Sequence, residues 1–275
     1  MERENLRQTA SLPSSPPKEY RQDEATLGLM THCTGGRRGG GSLRGEGQRI
    51  SFRFVFAFWI LGDRWYESAM SVPAAPTLTP ERVHWIPASI LEPARVEELF
   101  PQAGPLCVDY GCGEGAFVVA MAKKHPERNF LATERLVGRV EKVCRNAARL
   151  GLTNLRVLRL ENLYTAKFLL PPGSVSVSYV SFPDPWPKRA HQNRRLVQPE
   201  FVSAVRLSLV ADGELRLKTD DLPYFQWMEK VAAEAVGWTR AEWPDDPSEP
   251  LTNFEARFIA QGLPIHKMRL LKTGP

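Results

Sequence analysis

The chain has 275 residues and a mass of 31.0 kDa, enough for one domain with a full hydrophobic core and an additional segment. Its content of 43% hydrophobic and 24% charged residues excludes collagen-like, coiled-coil and wholly disordered proteins. The net charge of +5 and the isoelectric point of about 9.1 are compatible with a polyanionic partner.

Residues 1–70 differ in composition from the rest of the chain. Positions 1–48 are rich in serine, proline and glycine and show almost no apolar periodicity, which predicts a segment unable to form a core. We expect residues 1–70 to be a disordered leader or the product of a mis-assigned translation start, with Met70 as the alternative start. A basic arm that contacts RNA backbone is the functional alternative to a tail without a role. Residues 71–105 are then an N-terminal lead-in to a domain at 106–275.

Cysteine usage and hydropathy indicate the cellular compartment. The cysteines are Cys33, Cys107, Cys112 and Cys144. They form no C-x-x-C pair and no spacing typical of a secreted disulfide framework. The uncharged run at 54–62 is far shorter than the roughly 20 apolar residues of a membrane-spanning helix, and the first residues do not resemble a signal peptide. We expect a soluble protein in the reducing cytoplasm, with no membrane contact.

From Leu106 onward, short β-rich runs alternate with helical patterns, which predicts a parallel sheet built from βαβ units. The predicted strands are 106–110, 129–133, 155–160, 174–182, 214–218, 238–243 and 257–271. A turn is predicted at Asp212-Gly213. The predicted helices cover 116–124, the apolar stripe 140–150 ended by Gly151, the stripe 201–209, and the stripe 225–235 between a cap at Asp221 and a stop at Gly237.

The first strand runs into a glycine-rich turn and then a helix. Gly111, Gly113 and Gly115 let the backbone bend tightly and let a ligand lie against it. Their spacing differs from the G-x-G-x-x-G fingerprint, in which a pyrophosphate sits at a helix N-terminus. Asp109 and Glu114 place carboxylates beside the turn, which suits a cationic ligand better. The pattern predicts a nucleoside-cofactor site, and a merely tight βα turn is the alternative.

Acidic residues end the next two strands. Glu134 follows the second strand, where a carboxylate can accept hydrogen bonds from both ribose hydroxyls, and Glu161 follows the third. Each alone is more often a solvated loop acid. Because ligands bind at the carboxyl ends of strands in open α/β sheets, we expect Asp109, Glu134 and Glu161 to converge on one crevice.

The fourth strand ends in Ser181-Phe-Pro-Asp-Pro-Trp-Pro-Lys188. The prolines around Asp184 fix the backbone and prevent a helix from starting, which predicts a carboxylate and the indole of Trp186 held over the crevice. The indole can stack on a base. The basic residues that follow supply phosphate affinity, although a charge run is usually a solvated face. These basic residues are Lys188, Arg189, Arg194 and Arg195.

Two further polar motifs follow. Thr219-Asp220 ends the fifth strand, and Thr252-Asn-Phe-Glu-x-Arg257 precedes the last one. Taken alone, each fits helix capping or a turn as well as it fits a functional role.

These motifs resemble those of the bacterial tRNA (guanine-N7-)-methyltransferases, a family that uses S-adenosylmethionine. The resemblance runs from about Leu106 to Lys272 and is most specific in the Phe-Pro-Asp-Pro-Trp and Thr-Asn-Phe-Glu blocks. It implies an α/β fold of the Rossmann-like class I methyltransferase type, with a mostly parallel seven-stranded sheet and helices on both faces. It also implies a tRNA (guanine(46)-N7)-methyltransferase activity on the variable loop, with tRNA as partner. No obligatory protein subunit is expected, and the protein is expected to be a monomer or a homodimer.

The resemblance also implies residue roles. The catalytic acid falls on Asp184, and no metal is expected. The implied cofactor contacts are Asp109, Gly111, Gly113, Glu134, Glu161, Asn162 and Asp184. The expected substrate contacts are Lys188, Asp220, Thr252, Asn253, Phe254, Glu255, Trp186, Arg194 and Arg195.

The chain departs from the family pattern at two places. Asp109 stands where the family usually has Glu, which shortens the reach of the carboxylate by one methylene. The third strand ends in Glu161-Asn162 instead of Asp or Asn followed by Ala, so either side chain could contact the cofactor.

Two alternative functions remain open. An amino-group methyltransferase acting on adenine or cytosine has a similar Asp-Pro-Pro-aromatic loop, but this chain lacks the second proline and carries the Thr-Asn-Phe-Glu block. A non-catalytic RNA-binding module on the same fold is the alternative from another class. A C5-cytosine enzyme is disfavoured because it needs a cysteine nucleophile, and none follows Gly151.

Overall fold

The computed structural model describes residues 78–244 and 246–274. The interpretation of residues 1–70 as a leader therefore lies outside the described residues, as does the start of the expected 71–105 lead-in. Within the described ranges, no helix combines the length and apolar composition needed to cross a bilayer.

The described residues form one mixed sheet of eight strands in the order β1-β4-β3-β2-β5-β6-β8-β7. Neighbouring strands from β1 to β6 are parallel, and β8 runs antiparallel to both β6 and β7. The strands are β1 (His84–Trp85), β2 (Leu106–Tyr110), β3 (Asn129–Thr133), β4 (Leu155–Leu158), β5 (Val175–Ser181), β6 (Leu209–Thr219), β7 (Trp238–Ala241) and β8 (His266–Lys272). The mostly parallel sheet is confirmed, and the strand beyond the expected seven is the two-residue β1 at the edge.

Helices cover both faces of the sheet, as expected. They are α1 (Pro80–Val83), α2 (Ala116–Lys124), α3 (Val137–Arg149), α4 (Asn162–Tyr164), α5 (Pro199–Ser208), α6 (Leu222–Glu234) and α7 (Asn253–Ala260). A π-helical turn at Thr165–Leu169 and 3-10 turns at Val96–Glu98 and Arg189–Arg194 complete the set.

The core has two layers, one on each face of the sheet. On one face α5 and α6 pack against alternate residues of the strands, and Tyr110 meets Phe201 edge to face at 5.2 Å. On the other face α2 and α3 pack, and Phe117 meets Tyr179 at 5.1 Å. All residues of β2 and β3 are buried, as expected for central parallel strands covered on both sides. The carboxyl ends of these strands are thereby held rigidly at one edge of the sheet.

The prediction of a turn at Asp212-Gly213 is wrong, because both residues lie inside β6. The pairing of β5 with β6 shifts register between Val175 and Val177, and Asp212 has a φ of 60°. The strand β6 therefore has more residues here than its partner β5 and forms a bulge. Asp212 adopts in this bulge the left-handed conformation that a turn would also need.

The prediction of a strand over residues 257–271 is wrong in its first part, because Asn253–Ala260 is helix α7 and β8 begins at His266. The Thr252 hydroxyl accepts a hydrogen bond from the backbone N–H of Glu255 at 2.9 Å and caps the helix. Phe254 and Phe258 are four residues apart and lie on one face of the helix with ring centroids 6.2 Å apart. The sequence contains this helical spacing, which the prediction of a strand does not take into account.

Candidate functional site

A cavity of about 920 Å³ opens at the carboxyl ends of β2, β3 and β5. Asp109, Glu134 and Glu161 all line it, and so does Asp184. The further residues singled out from the sequence that line it are Gly111, Gly113, Glu114, Gly115, Asn162, Trp186, Arg194, Arg195, Thr252, Asn253, Phe254 and Arg257. The sheet therefore brings the glycine turn, the strand-end acids and the loop at 182–188, called the proline-flanked loop below, together around one cavity.

The glycine turn needs its glycines for two different reasons. Gly111, Gly113 and Gly115 have φ values of 78°, 58° and 78°, in the left-handed region. A Cβ at Gly115 would lie 2.5 Å from a methyl carbon of Val143, so this glycine allows α2 to approach α3. A Cβ at Gly113 would meet no atom within 4 Å. Gly113 thus faces open space in the cavity, where a ligand can lie against the backbone.

Glu134 ties the turn to the end of β3. It is 7% exposed. One carboxylate oxygen accepts hydrogen bonds from the backbone N–H groups of Arg135 at 2.8 Å and Leu136 at 2.9 Å, and the other accepts from Gly113 N–H at 3.1 Å. The Arg139 guanidinium lies 3.7 Å away. A carboxylate offers about four acceptor positions, so the second oxygen retains capacity for a ligand hydroxyl.

Asp109 is a buried carboxyl group without a hydrogen-bond partner among the described residues. It is 4% exposed and lines the cavity beside Glu134. Burial, with a smaller contribution from the Glu134 charge, raises the pKa of Asp109 to about 7. An isolated carboxylate in such a place is costly unless a positive charge approaches it. The site therefore favours a cationic ligand next to the glycine turn.

Glu161 and Asn162 both reach the cavity, by different routes. Glu161 caps α4 and accepts a hydrogen bond from Tyr164 N–H at 2.7 Å through one carboxylate oxygen. The side-chain oxygen of Asn162 accepts a hydrogen bond from the Thr133 hydroxyl at 2.7 Å, and the side-chain nitrogen of Asn162 lies beside Gly111. The amide is thus oriented by the end of β3, whereas the Glu161 carboxylate is exposed to the cavity and solvent.

The proline-flanked loop holds its backbone in an unusual conformation. Phe182 and Trp186 have φ values of 53° and 43°, although neither is glycine. Between the end of β5 at Ser181 and the 3-10 turn that begins at Arg189 no residue is helical, consistent with the block imposed by the prolines. Asp184 is exposed to the cavity. The Trp186 indole lies 5.1 Å from the Arg194 guanidinium, which stacks over it.

Helix α7 also lines the cavity, and its Phe254 and Phe258 rings lie 6.4 and 5.4 Å from the ring of Phe182 in the proline-flanked loop. Its capping residue Thr252 and the next two residues, Asn253 and Phe254, line the space. Phe254 is 43% exposed, and the Arg257 guanidinium lies 5.1 Å from its ring centroid. An exposed aromatic ring with a cation over it is a suitable platform for a base.

Some predicted site residues lie elsewhere. Lys188 and Asp220 are exposed and are not part of the cavity lining. Glu255 is fully buried, and both of its carboxylate oxygens accept from the Lys218 ammonium, at 3.2 and 3.0 Å. Arg195 lines the cavity but is only 4% exposed.

Sequence reasoning missed two arginines that line the cavity, Arg135 and Arg139. Arg135 directly follows the strand-end acid Glu134, and Arg139 comes one helical turn later. That spacing on a predicted helix start could have identified both.

The sequence is similar to a family model and to individual proteins of known name. The family model described as "Putative methyltransferase" matches residues 103–268, more than half of the chain. A tRNA (guanine-N(7)-)-methyltransferase of Leifsonia xyli is 39% identical over 168 residues, which are 59% of this chain and 74% of that protein. Its counterpart in Syntrophotalea carbinolica is 35% identical over 182 residues, 65% of this chain and 78% of that protein.

A solved structure shows the same fold. The 16S rRNA methyltransferase KamB matches with a TM-score of 0.50 at 19% identity, over 66% of this chain and 95% of that one. The expected class I methyltransferase fold is confirmed. By its family model and its curated relatives, the chain belongs to the tRNA (guanine-N(7)-)-methyltransferase family.

Proposed function

We propose that the protein transfers the methyl group of S-adenosylmethionine to N7 of the variable-loop guanine in tRNA. The observation that carries the proposal is the shared cavity, in which the buried Asp109 beside the glycine turn and the loop carboxylate of Asp184 line the same space. The relatives named above carry this activity in their names. The cytoplasmic location and the absence of an obligatory subunit stay predictions.

The cavity residues fit S-adenosylmethionine as cofactor. Asp109 offers an unpartnered buried carboxyl to a cation, and Gly113 leaves open space for the ligand next to the backbone. Glu134 retains acceptor capacity for ribose hydroxyls, and Asn162 and Glu161, which line the same cavity, would contact the nucleoside. When bound, the cofactor supplies an electrophilic methyl group on a sulfonium.

The reaction needs positioning more than acid–base chemistry. Guanine N7 carries an in-plane lone pair, so no general base has to prepare the nucleophile. As the bond from N7 to the methyl carbon forms and the carbon–sulfur bond breaks, positive charge moves from sulfur to the purine. Asp184 faces the cavity as a carboxylate that can stabilise this charge and orient the base edge. Holding the two reactants in line lowers the activation barrier, by about 7 kcal/mol or more when they are well oriented.

The surface around the cavity suits an RNA that presents an unstacked base. Trp186 and Phe254, which both line the cavity, are the proposed stacking platforms. Arg194 and Lys188 are exposed cations on the loop side, placed to contact the phosphate backbone.

A tRNA in which the variable-loop guanosine is replaced by 7-deazaguanosine tests the acceptor atom. This analogue lacks N7 and keeps the Watson–Crick edge. We expect labelled methyl to enter the unmodified tRNA and none to enter the analogue, while both bind with similar affinity. An amino-group methyltransferase would label both equally, and a non-catalytic RNA-binding module would label neither. Either of these results contradicts the proposal.

Cofactor binding is expected to strengthen as the pH rises. Because the pKa of Asp109 is raised to about 7 in the free protein, its carboxyl is largely neutral below that pH and anionic above it. A cationic cofactor binds the anionic form, so below pH 7 binding releases a proton and affinity rises up to about tenfold per pH unit. The free energy of unfolding of the ligand-free protein changes in the opposite direction. Because the pKa of Asp109 is higher in the folded protein than in the unfolded chain, this group lowers stability as the pH rises from the unfolded pKa toward 7.

Calorimetry between pH 5.5 and 8.5 in two buffers of different ionisation enthalpy measures this proton release. The matched control is Asp109→Asn, which keeps the size of the side chain and removes its titration. The ionisation of the cofactor itself is common to both proteins. If the wild type and Asp109→Asn show the same pH dependence, Asp109 is not the group that meets the cation.

A further inference from the structure

Arg195 is buried, although it ends a run of exposed basic residues. It is 4% exposed, whereas Lys188, Arg189 and Arg194 are exposed. A guanidinium that neutralises RNA phosphates has to be reachable from solvent. The burial of Arg195 therefore indicates a role inside the protein.

The contacts of Arg195 are with the proline-flanked loop and with α6. Its Nε donates a hydrogen bond to the carbonyl oxygen of Pro185 at 2.7 Å. Its guanidinium lies 4.8 Å from the ring centroid of Tyr224, which is fully buried and accepts a hydrogen bond from Val197 N–H at 3.0 Å. In the described part of the chain, no carboxylate forms an ion pair with Arg195. Its side chain thus connects a rigid core ring to one loop carbonyl.

That carbonyl lies between the two functional side chains of the loop. Pro185 follows Asp184 and precedes Trp186. The left-handed φ of Phe182 and of Trp186 is unfavourable for a non-glycine residue, so surrounding contacts have to maintain it. At its start the loop is held by a hydrogen bond from Phe182 N–H to the Lys218 carbonyl at 2.8 Å. At its centre Arg195 provides the corresponding hydrogen bond.

The charges of Arg195 and Asp184 both act on the Tyr224 hydroxyl. Burial raises the pKa of Tyr224 to about 12, while the positive charge of Arg195 lowers it and the negative charge of Asp184 raises it.

We infer that Arg195 is a positioning residue, which holds Asp184 and Trp186 in their orientation toward the cavity through the Pro185 carbonyl. This differs from the phosphate contact expected for it from the sequence, and it rests on the proposed function. The exposed neighbour Arg194 keeps the phosphate role.

Arg195→Ala, Arg195→Lys and Arg194→Ala in the full chain separate the two roles. A lysine keeps the charge but loses the planar guanidinium that stacks on Tyr224. Steady-state methyl transfer gives kcat, and tRNA binding at several salt concentrations gives affinity and the number of phosphate contacts. Thermal unfolding identifies variants that fail to fold.

For Arg195→Ala we expect kcat to fall about 100-fold, the scale of a misplacement of about 1 Å, with an unchanged salt dependence of tRNA binding. Added guanidinium ion at non-denaturing concentration should restore part of kcat. Arg195→Lys should retain tRNA affinity and lose part of kcat. Arg194→Ala should weaken tRNA binding and lower the salt slope by about one contact. The inference is overturned if Arg195→Ala lowers the salt slope as Arg194→Ala does.

A readout independent of activity keeps this inference separate from the proposed function. Hydrogen exchange at the Phe182 amide, which donates to the Lys218 carbonyl at the start of the loop, should become faster in Arg195→Ala and stay unchanged in Arg189→Ala, which removes an exposed cation. If the wild type transfers no methyl to tRNA, the proposed function fails while this comparison still measures positioning. Unchanged exchange in Arg195→Ala overturns the inference even if methyl transfer is intact.

Discussion

Asp184→Asn is expected to lower kcat by about 10²–10³-fold, the loss typical of removing one group that stabilises transition-state charge. The substitution keeps the size and planarity of the side chain and removes its negative charge. The purine becomes cationic only as the methyl is transferred, so the interaction lost on the purine belongs to the transition state and the affinity for tRNA should stay close to wild type. Single-turnover transfer with saturating tRNA and cofactor measures this step.

Asp212→Asn is the matched control for that experiment. Asp212 is an exposed aspartate within β6, it has a φ of 60°, which asparagine also tolerates, and it is not part of the cavity lining. We expect this variant to retain wild-type turnover. A near-normal kcat for Asp184→Asn would remove Asp184 from its proposed role.

Lys218→Met is expected to destabilise the protein by about 3–5 kcal/mol. Lys218 is 3% exposed, and its ammonium donates to Glu249 at 3.0 Å and to both oxygens of Glu255. Removing it leaves carboxylates in a buried site with fewer partners, since among the described residues only Lys267 at 3.4 Å still forms an ion pair with Glu255. The free energy of unfolding from urea titration measures the effect.

Two comparisons make this stability prediction specific. The double variant Lys218→Met, Glu255→Gln should recover part of the loss, because it removes the charge left without its partner. Arg240→Ala breaks an ion pair with Glu229 whose side chains are 56% and 38% exposed, and it should cost no more than about 1 kcal/mol. A loss below that value for Lys218→Met would show that the buried pair contributes little.

The Lys218–Glu255 pair also links stability to the site. Glu255 lies in the first turn of α7, directly after Asn253 and Phe254, which line the cavity. The Lys218 carbonyl receives the hydrogen bond from Phe182 at the start of the proline-flanked loop. One buried residue therefore contacts both α7 and the proline-flanked loop.

Sequence patterns predicted the part of the site that depends on local structure. The bounds of β2, α2 and β3 follow from short apolar runs separated by glycine and proline, and the structure has the same bounds. Since parallel strands align their carboxyl ends, the convergence of Asp109, Glu134 and Glu161 on one cavity also followed from topology.

Burial of charged side chains could not be predicted in the same way. Arg194 and Arg195 are adjacent in the chain, yet one is exposed and the other lies on a core tyrosine. Glu255 belongs to a motif that suggests substrate contact, but its partner Lys218 comes from a strand 37 residues earlier. Such contacts between distant segments are set by tertiary packing, which neither periodicity nor capping patterns encode.

Mass spectrometry of the nucleosides from tRNA treated with the protein and methyl-labelled S-adenosylmethionine tests the central claim most directly. The account predicts label in N7-methylguanosine alone, from the variable loop, and its near-complete loss with Asp184→Asn. Label in a methylated adenosine or cytidine, or no labelled nucleoside at all with a folded protein, would contradict it.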